Sequence, residues 1–565
     1  MIPKLIIESI KFNKGNAIKL DDSSITIFVG GNNVGKSVGL KNLYNLTHPN
    51  GYSVTHKVIE HVDLKTTGSG EEFISFLQTD DYNTHINGEN QINIGGYLRD
   101  LDFAGKIWEK NQGKDFGNIF IKLLMTENRL NFSNNVESKD FYKDKPNHPI
   151  HLMYLDENIE LSISEYFKKA FNLDLVVDRF AGKLIHLKVG TRPTLVEGEN
   201  HLSKSYNERI RVLPMLRDQG DGMRSFVSIL LEMISKNHHS LLIDEPEAFL
   251  HPPQARLIGK LIGTLFTERQ IFISTHSSDL IKGILESKNE KVNLIRIQRE
   301  EEFNTGSLLS NVDIETIWKD PVLRYSPILD GLFHENVIVC ESDGDCRFFN
   351  ALLEAQFQSD PRYYRISDTL FIPAHGKAKI PNIVKALKKI SVPTFTICDF
   401  DILNNISPLK ELVESHNGDW SIIQTKWNIV YNAVNQIKSQ LDKEEAKSAI
   451  LEAFDSVSTP NLNQKQVEKI REVLKVSTAW SFAKKSGVNF IPSGQAHSAC
   501  LEVLEYLNSI GIFPLTVGEL ESFDKSIGGN KSKWLEEILK KDFSNSDVVP
   551  EAKRFLSHIV DSIYK

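Results

Sequence analysis

Three carboxylates in the second half of the chain stand directly after apolar segments, where they could hold metal ions. Glu341 follows the run Val337–Cys340, and Asp399 and Asp401 follow the run Thr394–Ile397. Carboxylates that converge repel each other unless cations lie between them, and their oxygens are the ligands that Mg²⁺ and Mn²⁺ prefer. One or two such ions can stabilise the attacking and leaving oxygens of a phosphodiester.

The segments around these acids predict strands and helices in alternation. A strand ending in Glu341 is followed by a helical pattern, then by a strand, the turn at Gly376, a basic helix, and the strand that ends in Asp399 and Asp401. This order is typical of a parallel α/β sheet, in which ligands bind outside the carboxyl ends of the strands. The alternative is a set of acids that merely solvate the edge of the sheet.

A nucleotide-binding motif lies in the first half of the chain. The run Ser24–Val29 predicts a strand, residues 30–37 fit G-x-x-x-x-G-K-S, and a helical pattern follows. In this context the backbone N–H groups surround phosphates, the lysine reaches the β- and γ-phosphates, and the serine binds Mg²⁺. The predicted ATP contacts of this loop are Gly30, Asn32, Asn33, Gly35, Lys36 and Ser37.

Two further apolar strands in this half end in polar residues. Leu241–Ile243 precedes Asp244 and Glu245, which suit a Mg²⁺ ligand and a group that orients the attacking water. Ile271–Ser274 leads to His276, which could contact the γ-phosphate. The acids could instead cap a helix, and the histidine could be structural. The P-loop upstream favours the functional interpretation of both.

Composition excludes several classes of protein. The 565 residues include 66 Lys+Arg and 74 Asp+Glu, for a net charge of −8, with 40% hydrophobic residues. This describes a globular chain of several domains rather than a disordered or histone-like one. The 4 cysteines form no Cys-x-x-Cys pair. The opening MIPKLIIESIKF predicts an edge strand rather than a signal peptide, and without an apolar span we expect a cytoplasmic protein.

The motifs of the first half resemble the ATP-binding-cassette branch of P-loop ATPases, in particular the heads of SMC-like and OLD-like proteins. The phrase DEPEAFLHPP resembles their Walker B motif and D-loop, and STHS resembles their switch histidine. The candidate for their signature loop is Asp218–Phe226, before a helix expected at Phe226–Ile234. The resemblance implies that Gly222 approaches the ATP of a second protomer.

The second half resembles the TOPRIM domain of topoisomerases, primases and OLD nucleases, although ESDGD departs from the common Glu-Gly-x-x-Asp form. The resemblance implies metal-binding roles for Glu341, Asp399 and Asp401, and for Asp345 at an additional acidic position of OLD proteins. In class 2 OLD nucleases a Gly-Glu-Leu-Glu stretch followed by a lysine completes the metal site. It corresponds to Glu519 and Glu521 for a second metal, and to Lys531 or Lys533 for the pentavalent phosphate.

The predicted fold is α/β, with an ABC/SMC-like P-loop ATPase head followed by a TOPRIM domain. Residues 1–330 would form the ATPase domain, with a β-rich lobe and insertion at about 50–200. Residues 331–565 would form the TOPRIM domain, with a helical insertion at about 405–485. We expect its sheet to resume near Phe490 and to end in Ile512–Phe523.

Resemblance to the OLD family implies a metal-dependent DNA endonuclease or nickase, with ATP and Mg²⁺ or Mn²⁺ as cofactors and ATP gating the nuclease site. It implies a homodimer or higher oligomer. Several relatives act in antiphage defence, with a UvrD-like helicase (Gabija) or with a retron reverse transcriptase and its DNA–RNA product. The residues expected to bind the DNA backbone are Lys377, Lys379, Lys385, Lys388 and Lys389.

Two other functions remain open. The chain could be an SMC-like ATPase that clamps DNA without cutting it, although the three intact carboxylates argue against this. It could instead be a nuclease directed at RNA, since TOPRIM domains also occur in RNA-maturing nucleases. A topoisomerase would need a strand-attacking tyrosine in a companion domain, and no region of the sequence resembles one.

Overall fold

The computed structural model forms two compact units, Met1–Arg324 and Tyr325–Lys565. It describes residues 2–48, 56–79, 90–94, 97–110, 113–180, 182–201, 203–235, 238–266, 268–309, 319, 327–437, 443–455, 463–464, 466–467, 470–471, 479–528 and 531–564. Within these ranges, no helix combines the length and the apolar character that crossing a membrane requires.

Eighteen strands are described, fourteen of them in the first unit. In the first unit they are β1 Lys4–Phe12, β2 Ile18–Lys19, β3 Ile25–Val29, β4 Ile59–Thr67, β5 Gln91–Ile94, β6 Tyr97–Asp100, β7 Ile121–Leu124, β8 Val136–Glu137, β9 Asp174–Asp178, β10 Leu184–Gly190, β11 Ser240–Asp244, β12 Gln270–Ser274, β13 Val292–Glu300 and β14 Phe303–Leu309. In the second unit they are β15 Asn336–Cys340, β16 Thr369–Pro373, β17 Thr394–Cys398 and β18 Ile512–Pro514.

The main sheet of the first unit has the strand order β14-β13-β3-β12-β11-β7. All its neighbours pair in parallel except β13 and β14. Every residue of β3, β11 and β12 is buried, which explains why these strands are continuous apolar runs in the sequence. The parallel order brings the P-loop after β3, Asp244 at the end of β11 and His276 after β12 to one edge.

Smaller sheets and the helices complete the first unit. Strand β1 lies between β2 and β4 in a three-stranded sheet, so the expected edge position was wrong. Its buried residues occur in the consecutive runs Leu5–Ile7 and Ser9–Ile10, so both faces of the strand are covered there. The α-helices are Lys36–Thr47, Gly70–Thr79, Leu101–Glu109, Gly117–Phe120, Thr126–Arg129, Pro149–Leu155, Glu157–Phe171, Lys204–Arg211, Asp221–Ser235, Pro252–Leu265 and Ser278–Glu286.

The second unit is built on a parallel sheet with the order β16-β15-β17-β18. The sheet does not resume near Phe490, which lies in a 3-10 helix, and β18 contains only Ile512–Pro514. The apolar sequence around residue 500 forms a helix whose buried face packs inside the unit. The α-helices are Asp343–Phe357, Tyr363–Ile366, Ile380–Lys389, Ile406–Ser415, Trp420–Gln436, Lys443–Asp455, Ala479–Ser486, Gln495–Ser509, Lys531–Ile538 and Pro550–Ile563.

Candidate functional site

The P-loop of the first unit forms one side of a cavity of about 790 Å³. Gly35 has φ 92°, a left-handed conformation that glycine adopts readily, and it precedes the helix that begins at Lys36. The buried Lys36 ammonium donates to the carbonyl oxygens of Gly30 and Gly31, each at 2.8 Å. The cavity is lined by Asn33, Gly35, Lys36, Ser37, Val38, His56, His276, Arg299 and Glu302, while Asn32 is exposed in the same loop. Polar groups and backbone amides around such a space suit a nucleotide phosphate chain.

The acids after β11 lie beside this loop and have different surroundings. Asp244 is buried and accepts a hydrogen bond from the Ser274 hydroxyl. Glu245 lies 3.8 Å from His276, measured from Oε1 to Nε2, and burial together with Asp244 raises the pKa of its carboxyl. Burial and the nearby Lys36 lower the pKa of His276 to about 4, so this imidazole is neutral near pH 7. The pair suits the positioning of a water molecule at the γ-phosphate.

A third acid of this region, Glu247, was not singled out by the sequence analysis. Its Oε1 accepts from the Thr275 hydroxyl at 2.7 Å and from the His276 backbone N–H at 2.9 Å. Burial raises the pKa of its carboxyl. Glu247 therefore fixes the segment that carries His276 to the segment that follows β11.

A buried arginine, also missed by the sequence analysis, connects these acids to the signature segment. Arg129 is 1% exposed, and it donates to the carbonyl oxygens of Asp244 at 2.8 Å and Glu245 at 2.9 Å. Its Nε donates to the Ser225 hydroxyl at 3.0 Å. Nothing in the local sequence TENR marks this residue, because its partners are more than 90 residues away in the chain.

Most of the signature segment is helical from Asp221 onward, so the expected start of its helix at Phe226 was wrong. The helix spans Asp221–Ser235 and includes Gly222 in its first turn. A Cβ at Gly222 would lie 2.6 Å from the carbonyl oxygen of Phe249, so glycine serves a close backbone approach there. Gly222 therefore lies in the first turn of a helix that packs against the backbone at Phe249.

In the second unit, Glu341, Asp399 and Asp401 converge at the carboxyl ends of the adjacent strands β15 and β17. Each offers an oxygen that lies within 4.8 Å of the other two. Burial and the Asp399 charge raise the pKa of Glu341 to about 7, and burial raises the pKa of Asp399. Among the described residues, Glu341 Oε2 and Asp401 Oδ1 are buried without a hydrogen-bond partner. Buried oxygens of this kind fit a divalent cation such as Mg²⁺ or Mn²⁺.

Two lysines contribute positive charge to this cluster. Lys484 Nζ lies 2.8 Å from Asp399 Oδ2 and 3.9 Å from Asp401 Oδ2. Lys377 Nζ lies 2.7 Å from Asp401 Oδ2. Burial alone would lower the pKa of Lys484, but Asp399 and Asp401 outweigh it and raise that pKa. Lys484 lies in the helical insertion, outside every motif, and sequence reasoning missed it.

The remaining acidic residues predicted to bind metal lie around the cluster. Asp345 is buried, and its Oδ2 accepts from the Ser342 N–H and hydroxyl, both at 2.8 Å, at the start of a helix. Its Oδ1 lies 3.0 Å from Lys531 Nζ. Glu519 follows β18 at the same edge, where burial and the neighbouring Glu521 raise its pKa.

The two candidate lysines near residue 531 differ in position. Lys531 is partly buried, and although burial opposes it, the adjacent Asp345 raises the pKa of its ammonium. Lys533 is exposed in the same helix. The structure therefore brings Lys531, and not Lys533, to the carboxylates.

The predicted DNA-binding lysines lie in three different environments. Lys377 lies at the acidic cluster, and Lys379, Lys385 and Lys389 are exposed. Lys388 is partly buried in a groove lined by Pro393 and Gly511, which precede β17 and β18, and burial lowers its pKa. This groove is at the amino ends of the strands, opposite the carboxylates.

Comparison with known families identifies a domain in each half. Residues 213–281 match the family model of the AAA ATPase domain, and residues 332–401 match that of the TOPRIM domain of "overcoming lysogenization defect" (OLD)-like proteins. The curated "Old nuclease" of Escherichia phage P2 is 23% identical over 256 residues. That match covers 42% of this chain and 41% of the relative, so less than half of the relative's length is spanned.

Solved structures with similarity to the chain include heads of SMC proteins. An SMC head bound to the C-winged helix domain of ScpA has a TM-score of 0.35 at 13% identity, covering 55% of this chain and 100% of that one. The SMC head domain from Thermotoga maritima has a TM-score of 0.27 at 12% identity, covering 54% and 98%.

The two family matches confirm the predicted α/β fold class, in which an ATPase domain precedes a TOPRIM domain. Domains of these types imply the use of a nucleotide and of a divalent metal ion. The chain therefore combines an AAA ATPase domain with an OLD-like TOPRIM domain and resembles the OLD-family nucleases in this arrangement.

Proposed function

We propose that the protein is a divalent-metal-dependent DNA endonuclease or nickase whose activity is controlled by ATP. The observation that carries this proposal is the convergence of Glu341, Asp399 and Asp401 within an OLD-like TOPRIM domain. In the part of the chain that the structure describes, the buried oxygens Glu341 Oε2 and Asp401 Oδ1 have no hydrogen-bond partner, and a bound cation would satisfy them.

Within the nuclease site the three carboxylates would hold the metal, and Glu519 and Glu521 would hold a second ion. Bound divalent ions supply Lewis acidity toward the phosphodiester and an activated water. Lys531 would contribute positive charge at the phosphate, from its position on Asp345. The exposed lysines Lys379, Lys385 and Lys389 would contact the DNA backbone without reading its sequence.

Within the ATPase domain, Lys36 would leave the Gly30 and Gly31 carbonyls to bind the β- and γ-phosphates, and Ser37 and Asp244 would hold Mg²⁺. Glu245 would orient the attacking water, with the neutral His276 at the γ-phosphate. We propose that ATP gates the nuclease rather than driving its chemistry. The Arg129 contacts, which join the signature helix to the carbonyls of Asp244 and Glu245, support such a link between nucleotide and helix position.

The assembly and setting of the protein are proposed from its resemblance to the OLD family. A homodimer or higher oligomer would place Gly222 of one protomer near the ATP of another. An antiphage defence system is the proposed setting, with a UvrD-like helicase or a retron reverse transcriptase with its DNA–RNA product as partner.

A plasmid-cleavage assay tests the nuclease. The wild type would be incubated with Mg²⁺ or Mn²⁺, with and without ATP, beside Glu341→Gln and the matched control Asp343→Asn, an exposed acid of the same turn. We expect nicking or linearisation by the wild type and the control, and a loss of about 10²-fold or more in Glu341→Gln. Retardation of DNA in a gel without cutting would favour the clamp, and cleavage confined to an RNA substrate would favour the RNA nuclease.

A further inference from the structure

The helical insertion of the second unit returns to the nuclease site at its last described helix, Ala479–Ser486. Lys484 of this helix places its ammonium 2.8 Å from Asp399 Oδ2 and 3.9 Å from Asp401 Oδ2. The Asp399 side chain is 5% exposed and that of Lys484 is 33% exposed. The insertion thus supplies a cation to the most enclosed carboxylate of the metal-binding cluster.

The position of Lys484 is fixed by close backbone packing. A Cβ on Gly518 would clash with the carbonyl oxygen of Lys484, and a Cβ on Gly487 would clash with the carbonyl oxygen of Thr516. The Val488 N–H donates to that same Thr516 carbonyl at 3.0 Å. The end of the helix is therefore held against the loop that follows β18.

That loop is in turn bonded to the turn that carries the two aspartates. The Phe400 N–H, between Asp399 and Asp401, donates to the Gly518 carbonyl at 2.8 Å. The backbone of Lys484, the loop after β18 and the Asp-x-Asp turn thus form one connected unit. Lys484 is positioned by the fold and is not a surface lysine that happens to lie near an acid.

We propose that Lys484 is a further residue of the nuclease site. Its ammonium leaves Asp399 when the metal binds there, and it then binds the substrate phosphate. Three carboxylates within 4.8 Å need positive charge between them, and without metal Lys484 supplies it at Asp399 Oδ2 while Lys377 supplies it at Asp401 Oδ2. An ammonium and a divalent cation repel each other, so both do not occupy Asp399 Oδ2. The partly exposed side chain then directs its charge toward the substrate; this second step rests on the proposed function.

The first test measures Mn²⁺ binding and thermal stability of the full chain with Lys484→Met and the matched control Lys485→Met, whose side chain is exposed in the same turn. We expect Lys484→Met to bind Mn²⁺ more tightly, by roughly tenfold, because a competing charge is gone. Its melting temperature should be lower than that of the wild type without metal and equal to it in saturating Mn²⁺. Weaker or unchanged Mn²⁺ binding, or a melting deficit that persists in Mn²⁺, would overturn the proposal.

The second test measures DNA affinity in Ca²⁺ and single-turnover cleavage in saturating Mn²⁺. We expect Lys484→Met to lose affinity and rate, Lys484→Arg to recover part of both, and Lys485→Met to match the wild type. Full activity in Lys484→Met would refute the phosphate contact. If the wild type neither binds nor cuts DNA, the proposed function fails on that ground, and the Mn²⁺ measurement still decides whether Lys484 competes for Asp399.

Discussion

In the first unit Asp244 and Glu247, beside the nucleotide cavity, accept hydrogen bonds from neighbouring groups, whereas in the second unit three acids crowd against one another. Asp244 accepts from Ser274, and Glu247 accepts from Thr275 and the His276 backbone. By contrast, Glu341, Asp399 and Asp401 place oxygens within 4.8 Å of one another, and lysine side chains lie against Asp399 and Asp401. Neighbouring hydrogen-bond donors therefore position these two acids of the first site, while lysines relieve the repulsion among the acids of the second site only in part until a cation binds.

The largest expected effect is a loss of ATP turnover at the first site that leaves metal binding at the second site unchanged. Lys36→Ala should reduce ATP turnover by about 10²-fold or more, because the charge that meets the β- and γ-phosphates is lost from a buried position. Mn²⁺ binding at the acidic cluster should be unchanged. ATP hydrolysis and Mn²⁺ titration of the same preparation measure both, with Lys41→Ala, from the same helix, as the control. A parallel loss of Mn²⁺ binding would break the distinction between the sites.

Stability of the first site should depend on its buried arginine. Arg129→Met removes donors from the Asp244 and Glu245 carbonyls and from Ser225, and should lower the free energy of unfolding by about 2–3 kcal/mol. Urea unfolding measures this, with the more exposed Arg217→Met as the control. An Arg129→Met protein as stable as the wild type would show that this region does not depend on internal donors.

The smallest expected effect is the pH dependence of stability that Glu341 of the second site contributes. Because the pKa of Glu341 is raised to about 7, the folded metal-free protein holds a proton that the unfolded chain releases near its ordinary value of 4.5. Stability should therefore fall as pH rises from about 4.5 to 7, by on the order of 1–3 kcal/mol. Glu341→Gln should remove this part of the pH dependence in melting experiments without metal. An identical pH profile in the variant would contradict the crowding of the acids.

Much of both sites could be predicted from the sequence, because their motifs are local. A P-loop needs its strand, glycines and helix in order, and acids after apolar runs of a parallel sheet meet at one edge. The errors came from segments whose conformation depends on distant partners. The early start of the helix at Asp221 accompanies a contact with Phe249, and the helix around residue 500 packs an apolar face that could equally have belonged to a strand.

Residues that act through long-range contacts could not be found in the same way. Arg129 has its partners on two other elements, and Lys484 lies 85 positions after its partner Asp399 in the chain. Their local sequences, TENR and FAKKSG, carry no motif. Charge alone did not identify them either, since the chain contains 66 lysines and arginines.

The packing of Gly487 and Gly518 has a consequence for how this protein could change. Gly487 contacts the Thr516 carbonyl and Gly518 contacts the Lys484 carbonyl so closely that neither glycine position has room for a side chain. The insertion could therefore gain or lose residues in its earlier helices, but its last turn must change together with the loop after β18. A chimera that exchanges the insertion would have to carry both segments, or it would lose the register between Lys484 and Asp399.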